Sequence, residues 1–192
     1  AAALAGADRV FALGGAGACS ATEQAAINSA VGRGTTIVVA AGNENNNVTT
    51  SSPANCANVI AVGAITSTGA RASYSNYGAA VEITAPGGDG AYGVLSTLNT
   101  GTTTPVAEGY AQYFGTSMAA PHVSGTAALV REASGNTLTP AQISALLQAT
   151  ARAMPLPCVQ GCGAGLLDAN AAAKAATQPI LMVNDAPSAD EG

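Results

Sequence analysis

Charged side chains are scarce in this sequence, and basic ones are the scarcest. Only 9% of its 192 residues are charged, with 6 Lys and Arg against 11 Asp and Glu, which gives a net charge of -5. A protein that binds nucleic acid or an anionic membrane surface needs a basic face to neutralise phosphates. We therefore expect neither nucleic acid nor a membrane surface as a partner.

Long apolar runs are also absent. No run approaches the roughly 18 to 20 apolar residues that span a membrane, and the first ten residues lack the charged start and apolar centre of a signal peptide. The sequence therefore predicts no membrane span. We expect residue 1 to be an interior or processed start.

Metal-ligating patterns are equally scarce. The chain has one histidine, His122, and no CxxC spacing, which argues against a zinc site. Its four cysteines, Cys19, Cys56, Cys158 and Cys162, allow three complete pairings if all are oxidised. We expect structural disulfides rather than free thiols or metal ligands, and disulfides are typical of exported proteins.

Small and apolar residues fill the rest of the chain. A hydrophobic content of 48% suffices for the core of one domain. The first half alternates short apolar runs with helical or glycine-rich segments, the pattern of βα units around a parallel sheet. Strands are predicted at residues 9–13, 35–41, 59–64 and 81–85. A helix is predicted for 20–32, with Ser20 as N-cap and Glu23 completing a capping box.

The second half of the sequence predicts a hairpin followed by helices. Residues 94–98 and 109–114 flank a Thr- and Gly-rich stretch, as the strands of a β-hairpin do. Residues 117–132 are apolar nearly all round, which predicts a buried helix. A further helix is predicted for 139–151, with Thr139 as its N-cap.

Ser117 lies in the stretch GTSMAAPHVSG, at the predicted start of the long helix. Backbone N–H groups and the helix dipole favour negative charge at such a position. Ser117 could therefore be a nucleophile beside a site that holds an oxyanion. The alternative is an N-cap or first-turn serine with no chemical role, and the local sequence leaves both open.

His122 follows Ser117 by five residues, which on a helix is a turn of about 140° and a rise of about 7.5 Å. A general base must lie roughly 2.6 to 3.2 Å from the hydroxyl that it deprotonates. We therefore expect His122 to be a structural residue that holds neighbouring loops against the helix.

Several segments occur together in one chain order. They are FALGG at 11–15, VVAAGNE at 38–44, SSPANCANVIAVGA at 51–64, SYSNYG at 73–78, TAPG at 84–87, GTSMAAPHVSGTAALV at 115–130 and GAGLLDANAA near the C-terminus. Together they resemble the subtilisin-like serine proteases of the secreted bacterial type, over nearly all of residues 1–178. Residues 179–192 are expected to form a C-terminal tail or linker. The resemblance implies an α/β fold of three αβα layers around a mainly parallel, doubly wound sheet, here incomplete at its N-terminal side.

The resemblance assigns chemical roles to two residues. Ser117 matches the nucleophile that attacks the scissile carbonyl. Asn43 matches the oxyanion-hole asparagine, whose side-chain amide donates to the developing negative oxygen alongside the Ser117 backbone N–H. The implied reaction is peptide-bond hydrolysis through an acyl-enzyme intermediate, with proteins or peptides as substrates and no cofactor required for the chemistry.

The resemblance also implies a substrate cleft, in which an extended peptide lies between two backbone segments. The matching residues are Leu13, Gly14 and Gly15 on one wall and Ala40, Ala41 and Gly42 on the other. Ser51 matches the base of the first specificity pocket, where a small residue implies a preference for large apolar side chains. Glu44 at the rim could accept a basic side chain, and Pro53 matches a proline that is cis in the family.

Secretion to the extracellular space and the disulfides Cys19–Cys56 and Cys158–Cys162 are further implications of the resemblance. Structural calcium is common in the family, although no loop here has an EF-hand pattern, so the metal content is left open.

Two members of the catalytic triad are absent from the chain. In this family an aspartate and a histidine precede the serine, but no HGT-type histidine motif occurs, and Asp8, Asp89 and Asp168 stand in other contexts. We expect both on an N-terminal segment preceding residue 1, which would be a partner of this chain and without which the chain would be nearly inactive.

Two alternatives to the protease interpretation remain. One is a non-catalytic remnant that keeps the fold and binds peptides. The other, an esterase of the α/β-hydrolase type, is weaker because its GxSxG elbow ends in glycine where this chain has Ala119.

Overall fold

Short β-branched runs bounded by turns form the sheets of the computed structural model, which describes residues 9–11 and 15–177. In chain order the strands are β1 (Arg9–Phe11), β2 (Gly15–Ala16), β3 (Ile37–Ala40), β4 (Ser51–Ser52), β5 (Ile60–Ile65), β6 (Ile83–Pro86), β7 (Val94–Asn99) and β8 (Glu108–Tyr113). Strands β1, β3, β5 and β6 lie side by side in that order, all parallel. β2 pairs with β4, and β7 with β8, in antiparallel fashion. The predicted parallel sheet and hairpin are confirmed.

Side-chain caps start most of the helices in this part of the chain. The helices are α1 (Ala21–Gly32), α2 (Thr116–Ala133), α3 (Pro140–Ala149) and α4 (Ala169–Ala176). Ser20 and Glu23 bond reciprocally across the first turn of α1, and Thr139 and Gln142 do so on α3. Both predicted N-caps are therefore confirmed.

Alternate residues of the parallel strands face two different cores, as the two-residue period of a strand requires. Val38 and Ala40 of β3 pack with residues of α2, α3 and α4, whereas Ile37 and Val39 pack on the other face with Ile27 of α1. Both faces of the sheet are covered, which explains why the strand sequences are continuously apolar. Helices on both faces give the predicted three-layer α/β architecture.

Helix α4 was not predicted from the sequence. It has 8 residues, mostly alanine. Its start is fixed by Asp168, whose Oδ1 accepts a hydrogen bond from Ala171 N at 2.9 Å. The side chain of Asp168 therefore has a structural role as a helix cap.

The prediction that the long helix is buried all round is wrong on one side. The exposed residues of α2 include Pro121, His122, Gly125, Ala128, Leu129 and Glu132. One face of α2 covers the sheet, and nothing among the described residues covers the opposite face, where Leu129 is 56% exposed.

Two disulfides join the pairs that the resemblance implies, Cys19 with Cys56 and Cys158 with Cys162. The Ser52–Pro53 bond is cis, as expected. Within the described part of the chain, every helix is too short or too polar to cross a membrane. The predicted tail at 179–192 lies outside the described residues.

The parallel arrangement brings the start of α2 to the carboxyl ends of two strands. Gly115 N donates to Gly87 O, just after β6, at 2.9 Å. Gly42 N, just after β3, donates to Thr116 Oγ1 at 3.2 Å. Open α/β sheets bind their ligands outside the carboxyl ends of the strands. This junction is therefore the candidate site.

Candidate active site

Two glycines allow the start of α2 to approach the end of β6. Gly115 has a φ of 152°, which disfavours any residue with a side chain. A Cβ on Gly87 would lie 2.4 Å from the Cβ of Ala64 and 2.9 Å from Gly115 O, so a larger residue does not fit there. This close approach fixes Thr116 and Ser117, the first two residues of α2, against the sheet.

Asn43 reaches the same place from the end of β3. Its Oδ1 accepts two hydrogen bonds from Thr116, one from the backbone N at 2.9 Å and one from Oγ1 at 3.0 Å. Since Thr116 holds the oxygen end of the amide, the Nδ2 end, which is the donor, is left for other partners. Within the described part of the chain this Nδ2 has no acceptor, and the Asn43 side chain is exposed.

The Asn43 amide and the Ser117 backbone nitrogen both lie close to Gly115. A Cβ on Gly115 would lie 3.6 Å from Asn43 Oδ1, 3.7 Å from Asn43 Nδ2 and 3.8 Å from Ser117 N. Ser117 is partly exposed beside them. Two N–H donors at the positive end of a helix, next to a serine, can stabilise an oxygen that becomes negative during acyl transfer.

Thr116 holds this arrangement together and was not identified from the sequence. It is completely buried. Its Oγ1 donates to Asn43 Oδ1 and accepts from Gly42 N, so one hydroxyl ties the end of β3 to the start of α2. Its place between the glycine and the serine of GTSMA is the only signal that the sequence carries.

The predicted substrate-binding residues are distributed unevenly over the structure. Leu13 and Gly14 lie outside the described residues, and Gly15 pairs with Ser52 in the short β2–β4 ladder. Ala40 and Ala41 are 3% and 0% exposed, so neither lies at the surface of this structure. Ser51 is buried and accepts a hydrogen bond from Asn76 Nδ2 at 2.8 Å.

Ser117 and His122 face the same open groove, of about 340 Å³, between the first turns of α2 and the β7–β8 hairpin. His122 is exposed, and its Nδ1 lies 2.8 Å from Met118 O in the preceding turn of the same helix. The expectation that His122 holds neighbouring loops is therefore wrong for the described residues. Its ring instead binds the helix to which it belongs.

Tyr74 contacts Gly88 and Phe114, close to the start of α2. Its hydroxyl donates to Gly88 O at 2.8 Å, and its ring lies 5.6 Å from that of Phe114. Burial raises the pKa of Tyr74 to about 12. Tyr74 is therefore neutral at physiological pH and serves as a fixed hydrogen-bond donor.

Similar proteins were found by sequence and by structure. The chain is 59% identical over 164 residues to an extracellular protease of Xanthomonas campestris pv. campestris, a match that covers 85% of this chain and 28% of that protein. It is 46% identical over 166 residues to an extracellular basic protease of Dichelobacter nodosus, covering 85% and 27% respectively. The chain thus spans less than a third of the length of these relatives.

A solved structure has the same fold. It is described as proteases from Pseudoalteromonas arctica PAMC 21717, and it superposes with a TM-score of 0.83 at 46% identity, covering 87% of this chain and 50% of that one. The family model described as Subtilase family matches residues 11–178. This chain belongs to the subtilase family.

Proposed function

We propose that the full-length protein is a serine endopeptidase that hydrolyses proteins or extended peptides. Ser117 attacks the peptide carbonyl, an acyl-enzyme forms as the amine leaves, and water then releases the acid. During each step the negative oxygen accepts hydrogen bonds from Asn43 Nδ2 and Ser117 N. The observation that supports this proposal is that the Asn43 amide and the Ser117 backbone nitrogen both lie close to Gly115, at the start of α2.

The proposal requires an aspartate and a histidine from outside this sequence. His122 is a poor base for Ser117, because five residues on one helix turn the two side chains about 140° apart around the axis and about 7.5 Å along it. The serine proton would pass to a histidine on a segment preceding residue 1, as the order of the triad in the family implies. Exposed apolar side chains around the groove support such a covering segment: Leu95 is 62% exposed and Tyr113 is 52% exposed.

A serine-reactive fluorophosphonate tests the proposed nucleophile in the full-length protein. We expect stoichiometric labelling of Ser117 and no labelling of Ser117→Ala. An inert wild-type protein that is folded would instead indicate a non-catalytic remnant that keeps the fold.

The role of Asn43 is tested by Asn43→Ala in the same protein. Loss of the equivalent donor in subtilisin lowers turnover by about 10² to 10³, and we expect a loss of that order in kcat with little change in KM. Asn46→Ala is the matched control, because the Asn46 side chain makes no hydrogen bond to the described residues and lies in the same loop. Equal kcat values for the two variants would remove Asn43 from the oxyanion hole.

We also propose an extracellular location, supported by the names of the relatives and by the two disulfides. Structural calcium remains a prediction. Among the described residues, no three His, Cys, Asp or Glu side chains are grouped closely enough to hold a metal ion. The melting temperature of the full-length protein with and without a calcium chelator would test it.

A further inference from the structure

The loop of residues 42–47, here called the Asn43 loop, is fastened to residues 74–77. Three backbone hydrogen bonds join them: Asn76 N to Gly42 O at 3.0 Å, Asn45 N to Tyr74 O at 2.8 Å, and Tyr77 N to Asn46 O at 3.1 Å. The Arg71 guanidinium adds a bond to Asn45 Oδ1 at 3.0 Å. The position of Asn43 therefore depends on a segment about thirty residues further along the chain.

The side chain of Asn76 is at the centre of this attachment and is only 1% exposed. Its Oδ1 accepts from Glu44 N at 3.2 Å and from Asn46 N at 2.8 Å. Its Nδ2 lies within donor distance of Ala41 O at 2.9 Å, Glu44 Oε2 at 2.8 Å and Ser51 Oγ at 2.8 Å. Both ends of this one amide are thus used, and every partner lies in the Asn43 loop or beside it.

Asn76 holds the chain on both sides of Asn43. Before Asn43, it binds Ala41 O with its side chain and Gly42 O with its backbone. After Asn43, it binds Glu44 through both the backbone N and the carboxylate. Gly42 has no side chain and so leaves room for the Asn76 amide, since a Cβ there would lie 2.3 Å from Asn76 Nδ2. Its left-handed φ of 106° also favours glycine.

Only an amide has the donor and the acceptor that these contacts require. A carboxylate at the same place would face the Glu44 carboxylate and the Ala41 carbonyl without a proton to share. An apolar side chain would leave the partly buried N–H groups of Glu44 and Asn46 without this acceptor, which is costly. The hydrogen bonds that hold the Asn43 loop therefore require asparagine at position 76.

We infer that Asn76 is a positioning residue, which acts on the reaction through Asn43 by fixing the loop that presents the oxyanion-binding amide. Through the same Nδ2 it orients the Glu44 carboxylate and the Ser51 hydroxyl, the two residues matched to the first specificity pocket. This inference rests on the proposed function.

A double-mutant cycle in the full-length protein tests the inference, with a peptide anilide carrying phenylalanine before the scissile bond as substrate. We expect Asn76→Asp to lower kcat by about 10- to 10³-fold, where the upper value is the loss expected when the donor is removed outright. In the Asn43→Ala background the same substitution should lower kcat by less than about threefold, since coupled residues do not act additively. An undiminished loss in that background would overturn the inference, as would an unchanged kcat in the single variant.

Exchanging the amide of residue 76 and the carboxylate of residue 44 should restore the contact that N76D removes. In Asn76→Asp combined with Glu44→Gln, the new glutamine amide can donate to the new carboxylate. We expect this double variant to recover most of the kcat lost by N76D, measured against the E44Q single variant as its reference. No recovery would contradict the assigned contact. Asn55→Asp is the matched control, because Asn55 Nδ2 is likewise a hydrogen-bonded amide donor but binds Gly17 O and Thr49 O, outside the Asn43 loop.

A measurement without substrate separates this inference from the proposed function. Asn76→Ser removes the acceptor of Glu44 N and Asn46 N, so amide hydrogen exchange at these two residues should become at least tenfold faster in the folded protein. Unchanged exchange would refute the positioning of the loop, whether or not the protein is active. An inactive wild-type protein with accelerated exchange in N76S would refute only the proposed function. If N76D does not fold, N76S supplies the same cycle with Asn43→Ala.

Discussion

Asn43 depends on Thr116 for the direction of its amide. With Oδ1 held by the Thr116 backbone N and hydroxyl, rotation of the amide by half a turn would set Nδ2 against the Thr116 N–H and lose both bonds. A donor that is already oriented does not have to reorganise when charge develops on the substrate, which is the source of oxyanion-hole catalysis. Thr116 therefore sets the direction of the amide to which the proposed function assigns the oxyanion contact.

Replacing Thr116 by valine should separate shape from hydrogen bonding. Valine keeps the volume but leaves Gly42 N without its acceptor and Asn43 Oδ1 with one donor fewer. We expect kcat of the full-length protein to fall about tenfold and the free energy of unfolding to fall by about 1 to 3 kcal/mol. Thr116→Ser, which keeps the hydroxyl, should stay within about twofold in kcat. Equal effects of valine and serine in kcat and in urea unfolding would contradict this role.

The two residues with proposed chemical roles were identified from the sequence, and their supports were not. Ser117 and Asn43 stand in segments that resemble a known family. Thr116 and Asn76 stand in those segments too, but the sequence does not show whether a hydroxyl or an amide is buried. Only the fold shows that Asn76 reaches Glu44, 32 residues away along the chain. The assigned roles of Ser117 and Asn43 stay predictions until the experiments above are done.

At the scale of the elements, the sequence predicted helix ends correctly where the interacting residues are close together in the chain. The predicted N-caps of α1 and α3, Ser20 and Thr139, bond to residues three positions further on, so the sequence contains the whole interaction. The exposed face of α2 was missed because small apolar residues on all sides do not indicate which side another element covers. α4 was missed because its 8 residues are fewer than the roughly 11 to 18 over which a helical period is recognised.

Glu82 should make stability fall as the pH rises. Burial raises the pKa of its carboxyl, partly opposed by a hydrogen bond from Ser144 Oγ at 3.0 Å. The folded state therefore binds the proton more tightly than the unfolded state, and stability declines from the unfolded pKa, about 4.3, up through the folded pKa. We expect Glu82→Gln to raise the melting temperature at pH 7 in calcium-free buffer, with a gain that shrinks towards pH 4.

Glu23 supplies the control of opposite sign. Hydrogen bonds from the Ser20 backbone, the Ser20 hydroxyl and the Ser52 hydroxyl hold the pKa of this carboxyl below its usual range. Its stabilisation is present above the unfolded pKa and is lost as the pH falls through the folded pKa. Glu23→Gln should therefore lower the melting temperature at pH 7 and lose this effect on acidification. Shifts of the same sign in both variants would contradict the assigned environments.

At the scale of the whole molecule, the site exists because distant segments meet at one edge of the sheet. The parallel register sets the end of β3 beside β5 and the end of β5 beside β6, and α2 then begins against the end of β6. Alternating apolar runs predicted a parallel sheet, yet they contain no information on the order of its strands, since each run is compatible with any buried position. That order came from the structure.

The two disulfides constrain the whole chain to different degrees. Cys19–Cys56 closes a loop with a sequence separation of 37 and joins the start of α1 to the segment after β4, whereas Cys158–Cys162 has a separation of 4. Loop-closure entropy gives about 4 kcal/mol for the first and about 2 kcal/mol for the second. We expect the double variant Cys19→Ala with Cys56→Ala to lose more stability in guanidinium unfolding than the pair Cys158→Ala with Cys162→Ala. A larger loss for the short loop would mean that local packing around residues 158–162, and not the restriction of the unfolded chain, governs the contribution of these bonds.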